Sequence, residues 1–439
     1  MERRAVFAGA LATLAAAGLA ACVPTQAASS QDGPPGITYY RDVEPILRAR
    51  CVRCHEEGGS APFALTSWAQ ANLYRRFIQQ AVEEGTMPPW LPGPGCADYA
   101  GDASLTVDEI ATLSGWADRG GPAGDPASRP EREPSSQEPS PRGTVVAVEM
   151  PVEYAPPDGA TENRCFLADW PLATATYVTG FGAQPADEAI VRRVVAYLAQ
   201  PAAIDDLVAR DEGDPGPGWS CPGTADPTTT WLGGWAVGSG ATRTPEGTGL
   251  IVPPGSAVVL EIAYDTTTAP ASPDRTVASF ETADSVEKAA KILPWADPKW
   301  VLSGEMPIPA GQSDVSHSFA ADPTSLLTRG EPVAIHAVTM QMRSLGTRGS
   351  LTIRRSSGED ECLLDLPSWD PGWQQMVRLA RPVTLSPGDE LAIECHWDNG
   401  PDGGSRRLVD EQPRVPTDVN WGDAAGDEMC LALLYASTP

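Results

Sequence analysis

Apolar residues in the first part of the chain recur with the period of an α-helix. In the stretch YYRDVEPILRARC, residues 39–51, the apolar side chains of Val43, Ile46 and Leu47 fall at spacings that share one helix face. Residues 68–84 contain no helix breaker and are expected to form a second helix. The pattern therefore predicts that the folded part of the chain begins with helices.

A third helix is predicted from its start signal in the stretch LTVDEIATLSGWADRG. Thr106 and Glu109 form a capping-box pattern, and Leu105 and Ile110 form a hydrophobic staple around it. Three short helices can surround a prosthetic group. Residues 37–123 are therefore predicted to form a small all-α unit.

The pattern changes after this helical segment. Residues 121–143 are rich in proline, serine and charge and have no apolar periodicity, which predicts a disordered linker. Beyond it, short β-branched runs such as AIVRRVVAYL and EPVAIHAVTMQM alternate with glycine, proline and aspartate, as strands and turns do. The length of this region predicts two β-sandwich domains, residues 144–290 and 291–439, which divide near residues 292–300.

Composition limits the partners that the chain can have. Among its 439 residues, 31 Lys and Arg stand against 58 Asp and Glu, so the net charge is −27. Attraction to a phosphate backbone is therefore absent, and we expect no nucleic-acid partner.

The first residues have the pattern of an export signal. Residues 1–22 read MERRAVFAGALATLAAAGLAAC, with a basic start and a short run of apolar and small residues. Residues 19–22 resemble a bacterial lipoprotein cleavage box, which would leave a lipidated Cys22 as the first residue; the alternative is ordinary cleavage near residues 26–28. We expect an exported protein, periplasmic or anchored to the outer membrane, with membrane contact only through a lipid on Cys22.

Residues 51–55 read CVRCH and concentrate unusual chemistry in five positions. In an exported chain, Cys-x-x-Cys-His is the attachment signature of c-type haem, in which Cys51 and Cys54 form thioethers and His55 ligates iron. A redox-active thiol pair is one alternative, but it does not need His55. A zinc half-site is another, but this segment lacks a second ligand pair. The motif therefore predicts covalent haem c.

A second axial ligand for this haem is expected on the other side of the iron. Met87, in GTMPPW, is the only methionine of the helical segment, and a methionine sulfur raises the reduction potential of haem. Its alternative role is packing in the core. The segment resembles small class I cytochrome c domains, and MPPW resembles the distal loop of cytochromes that are fused to bacterial oxidoreductases.

The β region carries a second resemblance. WGDAAGDEMCLALLY, QMRSLGTRG, ECLLDLPSWDPGWQ and ECHWDNG resemble segments of the copper type II, ascorbate-dependent monooxygenases, the family of peptidylglycine α-hydroxylating and dopamine β-monooxygenases. The likeness covers residues 144–439. It implies two jelly-roll sandwiches that each contribute one copper site across a solvated cleft. One copper of that family activates oxygen, and the other stores an electron from ascorbate.

Most copper ligands of that family are substituted in this chain. The family's adjacent histidine pair matches Arg192 and Arg193, and its third histidine matches Ala263. The His-x-His pair of the second copper site matches Gln341 and Arg343. Because a guanidinium is always protonated and has no lone pair to offer, these arginines would repel copper rather than bind it.

The histidine count leads to the same expectation. The methionine ligand is retained as Met429, but outside CVRCH the chain has only His317, His336 and His396, whereas the family's two sites use five histidines. Strand alternation predicts that His336, Met340 and Met342 share one face and that Gln341 and Arg343, at the matched ligand positions, point to the other, which argues against a relocated Cu(I) site. We expect both methionines to be core residues. We therefore expect that copper is not bound and assign no catalytic residue.

Six cysteines remain besides Cys22 and the CVRCH pair, and export predicts that they form disulfides. The resemblance implies a bond between Cys395 and Cys430, with a second between Cys165 and Cys221. Cys96 and Cys362 are left over, and whether they pair across domains is left open.

The sequence thus predicts a multidomain fold, a small all-α class I cytochrome c domain followed by two all-β jelly-roll sandwich domains. The expected function is electron transfer or redox sensing by an exported haem c protein with an unidentified redox partner, fused to a monooxygenase-like module that has lost copper. The alternative is an active copper- and ascorbate-dependent monooxygenase that receives electrons through the haem domain. A third hypothesis is that Arg192, Arg193 and Arg343 form a site for a small anion. The more common role of such arginines is to form ion pairs with acidic side chains.

Overall fold

Helices and strands occupy separate parts of the chain in this computed structural model. The structure describes residues 36–57, 59, 61–131, 143–221, 228–237, 240–373, 375–401, 415–422 and 426–439. The helices of this part are α1 (Glu44–Arg50), α2 (Trp68–Leu73), α3 (Arg75–Glu83), α4 (Val107–Asp118), α5 (Ile204–Gly213), α6 (Pro298–Ser303) and α7 (Pro323–Leu327). Single π or 3-10 turns lie at Tyr39–Val43, Pro126–Ser128 and Pro201–Ala203.

The strands of the described residues begin after the expected linker. In chain order they are β1 (Thr144–Glu149), β2 (Thr161–Asp169), β3 (Thr176–Gln184), β4 (Val191–Ala199), β5 (Trp219–Ser220), β6 (Thr229–Ala236), β7 (Thr242–Arg243), β8 (Thr248–Val252), β9 (Ala257–Asp265), β10 (Val277–Ala283), β11 (Lys288–Trp295), β12 (Val315–Ala321), β13 (Val333–Gln341), β14 (Gly346–Arg354), β15 (Asp360–Leu366), β16 (Val377–Leu385), β17 (Glu390–Trp397) and β18 (Leu431–Ser437).

The first four helices surround a small core of their own. Capping boxes at Ser67 and Thr106 start α2 and α4, as the side chains of Gln70 and Glu109 return to the capping residues. The second predicted helix is broken at Tyr74 into α2 and α3. Apolar side chains from all four helices and from the turn before α1 then pack together: Tyr39, Val43, Leu47, Ala71, Ile78, Val82, Leu113 and Trp116.

A single nine-stranded sheet runs through both halves of the β region. Its strand order is β1-β10-β3-β8-β11-β18-β13-β16, with β7 paired to β3. The strand at its centre is β11, which pairs with β8 in parallel and with β18 in antiparallel orientation. The segment that the sequence places at the division, residues 292–300, therefore contains part of the strand that joins the two halves.

Two further sheets close two hydrophobic cores against this shared sheet. The five-stranded sheet β5-β2-β9-β4-β6 covers the first core, where Phe166, Leu260 and Phe280 are fully buried. The four-stranded sheet β12-β17-β14-β15 covers the second, which contains Ile393 and Leu434. The β region is thus jelly-roll-like, with two cores that share one layer.

Three disulfides are present, which confirms the prediction that these six cysteines pair. They join Cys165 to Cys221, Cys395 to Cys430, and Cys96 to Cys362. The third bond, which the sequence left open, spans 266 residues and ties the helical segment to β15.

The predicted fold class, an all-α class I cytochrome c domain followed by two all-β jelly-roll domains, is wrong. The chain is mainly β, with 37% strand and 18% helix, and no separate all-α domain is evident in the described part. Residues Ile37–Pro439 form one compact unit. Besides the Cys96–Cys362 bond, the amide of Gly93 donates to the carbonyl of Asp365. Periodicity reports local helix formation, whereas domain independence depends on such long-range contacts.

Several sequence predictions concern residues outside the described part. The signal peptide 1–22 with Cys22 lies there, and so do residues 132–142 of the expected linker. Among the helices of the described residues, none has the length and the apolar character that are needed to cross a membrane.

Candidate functional site

The CVRCH segment forms a tight turn at the end of α1. The amide of Cys51 donates to the carbonyl of Leu47 at 2.8 Å and so closes the helix. The amides of Cys54 and His55 then both donate to the carbonyl of Cys51, at 3.1 and 3.0 Å. Both cysteines are free and partly buried. One turn of backbone therefore holds two thiols and an imidazole.

The orientation of His55 suits it to bind a metal. Its Nδ1 lies 2.9 Å from the carbonyl oxygen of Phe63. Because a carbonyl oxygen only accepts, Nδ1 must carry the proton, and the neutral ring then keeps its lone pair on Nε2. Such a hydrogen bond from the second ring nitrogen is the usual way in which proteins fix a ligating histidine.

Aromatic rings continue outward from His55. Its ring centroid lies 4.7 Å from that of Phe63, which stacks on Tyr74 at 3.9 Å. Tyr74 in turn contacts Phe77 at 6.5 Å, and the side chain of Phe77 is 67% exposed. The imidazole is therefore next to a row of aromatic side chains whose outer end faces solvent, where a flat apolar group could cover it.

The surroundings of Cys51 differ from those of an activated thiol. Burial, followed by the nearby Cys54 and Glu109, raises the pKa of the Cys51 thiol to about 11, and Arg50 opposes this only in part. Redox-active Cys-x-x-Cys pairs need a lowered thiol pKa. This environment is unlike that of the redox pair that the sequence left as an alternative.

Met87 lies in the loop after α3. Its amide bonds the carbonyl of Ala81, and its side chain is 45% exposed. It does not belong to the core of the helical segment, so it has no packing role there. Its role as the second axial ligand stays a prediction.

The positions that the sequence resemblance matches to copper ligands, named here the former copper positions, fall into two sets. The first set carries ion pairs on the five-stranded sheet. Arg193 is 5% exposed, and its guanidinium contacts Oε1 of Glu261 at 2.5 Å; Glu261 is 1% exposed. Arg192 contacts Asp265 at 3.2 Å. Ala263 lies directly opposite Arg193 on the neighbouring strand and offers no donor atom. These positions hold paired charges and no metal-binding lone pair.

Glu261 was not found from the sequence, although it shapes this site. The hydroxyl of Tyr197 donates to Oε2 of Glu261 at 3.3 Å, and burial together with this negative charge raises the pKa of Tyr197 well above its usual value. Among the described residues, Glu261 with Cys165 and Cys221 is the one group of three or more His, Cys, Asp or Glu side chains whose potential ligand atoms all lie within 4.8 Å of one another. The two sulfurs are bonded to each other, so neither is available as a thiolate.

The second set of former copper positions is buried at the end of β13. Gln341, Arg343 and Met429 are 3%, 8% and 2% exposed. Met429 is thus in place, but the two former histidine positions carry an amide and a guanidinium, and the latter has no lone pair.

Glu428, next to Met429, holds this region together and was also missed by the sequence analysis. Its carboxylate accepts the amides of Arg343 and Leu345 at 2.9 and 2.7 Å and the indole N–H of Trp397 at 3.0 Å. Burial nevertheless raises the pKa of Glu428, since the carboxylate has lost its water. The residue before the retained ligand position therefore has a structural role.

His336 does not lie on the strand face that simple alternation predicts. A register shift beside His336 in β13 turns it away from the two methionines. Met340 and Met342 belong to the second core, whereas Nε2 of His336 lies 2.9 Å from the hydroxyl of Ser437, and its ring faces Tyr435 of the first core. The expectation that these three residues share a face is wrong, and the methionines are core residues.

The remaining two histidines are also engaged. Nε2 of His317 donates to the carbonyl of Pro307 at 2.9 Å. His396 contacts the carboxylates of Asp314 and Glu394 at 3.3 and 2.8 Å. His317, His336 and His396 thus each have hydrogen-bond or ion-pair partners of their own.

Comparisons with known proteins add little. No family model matches the chain, and no curated protein matches it. Among solved structures, it is similar to the major capsid protein P2 of bacteriophage PM2, with 8% identity over 67% of this chain and 97% of that chain and a TM-score of 0.25. For the STIV MCP the corresponding values are 9%, 67%, 97% and 0.26. Scores this low carry no argument about fold or function.

Proposed function

We propose that the chain is an exported haem c protein for electron transfer or redox sensing. The observation that carries this proposal is the hydrogen bond between Nδ1 of His55 and the carbonyl of Phe63, on the turn that also holds Cys51 and Cys54. Three attachment groups of a c-type haem are present in one turn, and the imidazole is in the tautomer that a metal requires.

The donor set and its surroundings fit haem c. Cys51 and Cys54 would hold the porphyrin, His55 would ligate the iron through Nε2, and Met87 would supply a second iron ligand. The row of rings from Phe63 to Phe77 would give the porphyrin an apolar wall. The porphyrin would in turn cover the exposed end of this row at Phe77. When bound, such a group supplies a one-electron iron couple whose potential a thioether ligand raises.

The same proposal includes the loss of copper from the β region. Arg193 is matched to a buried carboxylate, and Arg192 to a half-buried one, so the charge at these positions serves the fold. Replacing the imidazoles by guanidinium groups removes the lone pairs that copper needs. The resemblance to copper monooxygenases then reports ancestry of the β module and not its present chemistry.

Haem attachment is tested by expression in a periplasm that matures c-type cytochromes. The natural chain should keep a haem stain after denaturing electrophoresis and show a reduced α-band. Cys51→Ala/Cys54→Ala should lose both, whereas Cys165→Ala/Cys221→Ala, which removes two remote cysteines, should keep both. Absence of the stain from the natural chain would refute the haem assignment.

Loss of copper chemistry is tested by oxygen consumption. The chain is incubated with copper, desalted, and supplied with ascorbate. The rate should equal that of the same chain desalted without copper. A rate that rises in proportion to retained copper would contradict this part of the proposal.

Export and lipidation rest on the sequence alone. Cys22→Ala should release the protein from the membrane fraction into the soluble periplasm while haem attachment persists. Retention of this variant in the membrane fraction would remove the lipid anchor from the proposal.

A further inference from the structure

A cleft of about 440 Å³ lies where the helical segment meets both β cores. Arg53 and Trp90 line it from the helical segment, Trp231 from the first half of the β region, and Met376 and Arg378 from the second. Its volume is in the range of small-molecule sites, and junctions of this kind are where such sites usually occur. The former copper positions do not line it, and neither do the expected haem attachments.

The charge of this cleft is opposite to that of the protein. Three arginines line it, and the lining residues that the structure describes include no aspartate or glutamate. Arg243 is already matched by Glu281, whose carboxylate it contacts at 2.6 to 2.9 Å. Arg53 and Arg378 are exposed and have no ion-pair partner within the described part of the chain. In a chain of net charge −27, two such arginines in one cleft make a local site for an anion.

Aromatic side chains form part of the remaining lining, which also includes Thr242, Thr244 and Gln375. Trp90 and Trp231 are half-buried, whereas Phe181 and Tyr435 are each 2% exposed, and the hydroxyl of Tyr435 is engaged with Thr248 at 2.9 Å. Aromatic side chains offer flat faces to a ring of the ligand, and arginine binds a carboxylate through two parallel hydrogen bonds.

We propose that this cleft binds a small aromatic carboxylate. Its carboxylate lies between Arg53 and Arg378, and its ring packs among the aromatic side chains. Arg53 stands between the two cysteines of CVRCH, so the bound ligand contacts the turn that the proposed function assigns to haem. The binding itself does not depend on that assignment, because the cleft residues other than Arg53 lie outside the motif.

The test compares an anionic ligand with a neutral one of the same shape. Calorimetric titration of the full chain, matured with haem, uses 2-naphthoate and its neutral isostere 2-naphthamide. We expect one saturable site for 2-naphthoate and at least tenfold weaker binding of the amide, since only the carboxylate carries a charge opposite to that of the arginines and two oxygens that accept from a guanidinium. Equal affinities, or no saturable binding of 2-naphthoate in the millimolar range, would overturn the proposal.

Variants locate the site. Arg53→Gln/Arg378→Gln should weaken 2-naphthoate at least tenfold and leave the amide unchanged. Arg381→Gln is the matched control, since it is an exposed arginine on the same strand, β16, that does not line the cleft. If the double variant binds 2-naphthoate as the natural chain does, the site is elsewhere. Inorganic phosphate should bind more weakly than 2-naphthoate, and equal affinity would refute the aromatic part of the site.

Discussion

The CVRCH turn and the former copper positions are two regions that sequence resemblance linked to metals, and they differ in what their side chains offer. In the turn, Cys51, Cys54 and His55 lie on one turn of backbone, and His55 is oriented by a hydrogen bond. On the five-stranded sheet, Arg193 is bound to a buried carboxylate. The first region holds two thiols and an imidazole, and the second holds ion pairs at the positions that the resemblance matches to copper ligands.

The two regions also differ in how their side chains are brought together. The side chains of CVRCH lie within five residues, so one turn of backbone positions all of them. The second region is assembled from several strands, and a charged residue at a buried position there needs a partner. Arg193 meets that demand with Glu261.

The largest predicted effect concerns this buried pair. Arg193→Met leaves Glu261 buried without its partner and should lower the free energy of unfolding by about 3–5 kcal/mol. The double variant Arg193→Met/Glu261→Leu should recover most of that loss, because no uncompensated charge remains. Urea unfolding of the single and double variants measures both. An unchanged free energy of unfolding in Arg193→Met would show that the ion pair does not stabilise this part of the sheet.

The next effect concerns the disulfide that joins the helical segment to β15. Cys96→Ala/Cys362→Ala removes a bond across 266 residues and should cost about 2–4 kcal/mol, since the unfolded chain gains freedom. Thermal and urea unfolding measure the loss. Haem content should match that of the natural chain, because neither cysteine belongs to CVRCH. Loss of haem from this variant would mean that the turn depends on the link.

A smaller effect is expected at Glu428, beside the retained Met429. Glu428→Gln places an amide N–H₂ among the donors of Arg343, Leu345 and Trp397, and one of these then lacks an acceptor. The cost should be about 1–3 kcal/mol in urea unfolding, with secondary structure unchanged by circular dichroism. An unchanged midpoint would show that the carboxylate is not required there.

The smallest predicted effect is a pH dependence from His336. Burial, followed by the charge of Lys288, lowers the pKa of this imidazole. The unfolded chain therefore binds more protons as pH falls below the ordinary histidine pKa, so stability decreases through that range and levels off below the lowered pKa. In His336→Gln the decrease between neutral and mildly acidic pH should be smaller. Identical pH profiles of the two proteins would contradict this.

Local features of the molecule followed from the sequence, and long-range ones did not. The capping box at Thr106 and Glu109 formed as expected, because its partners are three residues apart. The CVRCH motif was also visible in the sequence, since its groups share one turn, and its role in haem attachment stays a prediction. The pairing of β11 with both β8 and β18 joins distant segments, and no local pattern reports it.

The same limit applies to the partners of the substituted positions. Arg193 and Glu261 lie 68 residues apart, and only the pairing of β4 with β9 brings them together. The register shift in β13 was equally hidden, because a bulge reverses the faces of a strand without a distinct composition. Alternation alone therefore placed His336 on the wrong face.

The central claim is that the metal of this protein is iron at CVRCH and not copper in the β region. Elemental analysis of a tag-free sample, matured with haem, incubated with Cu(I) or Cu(II) and desalted, measures both metals at once. The account predicts one iron for each chain and copper well below one. Near two copper ions for each chain, or no iron, would contradict it.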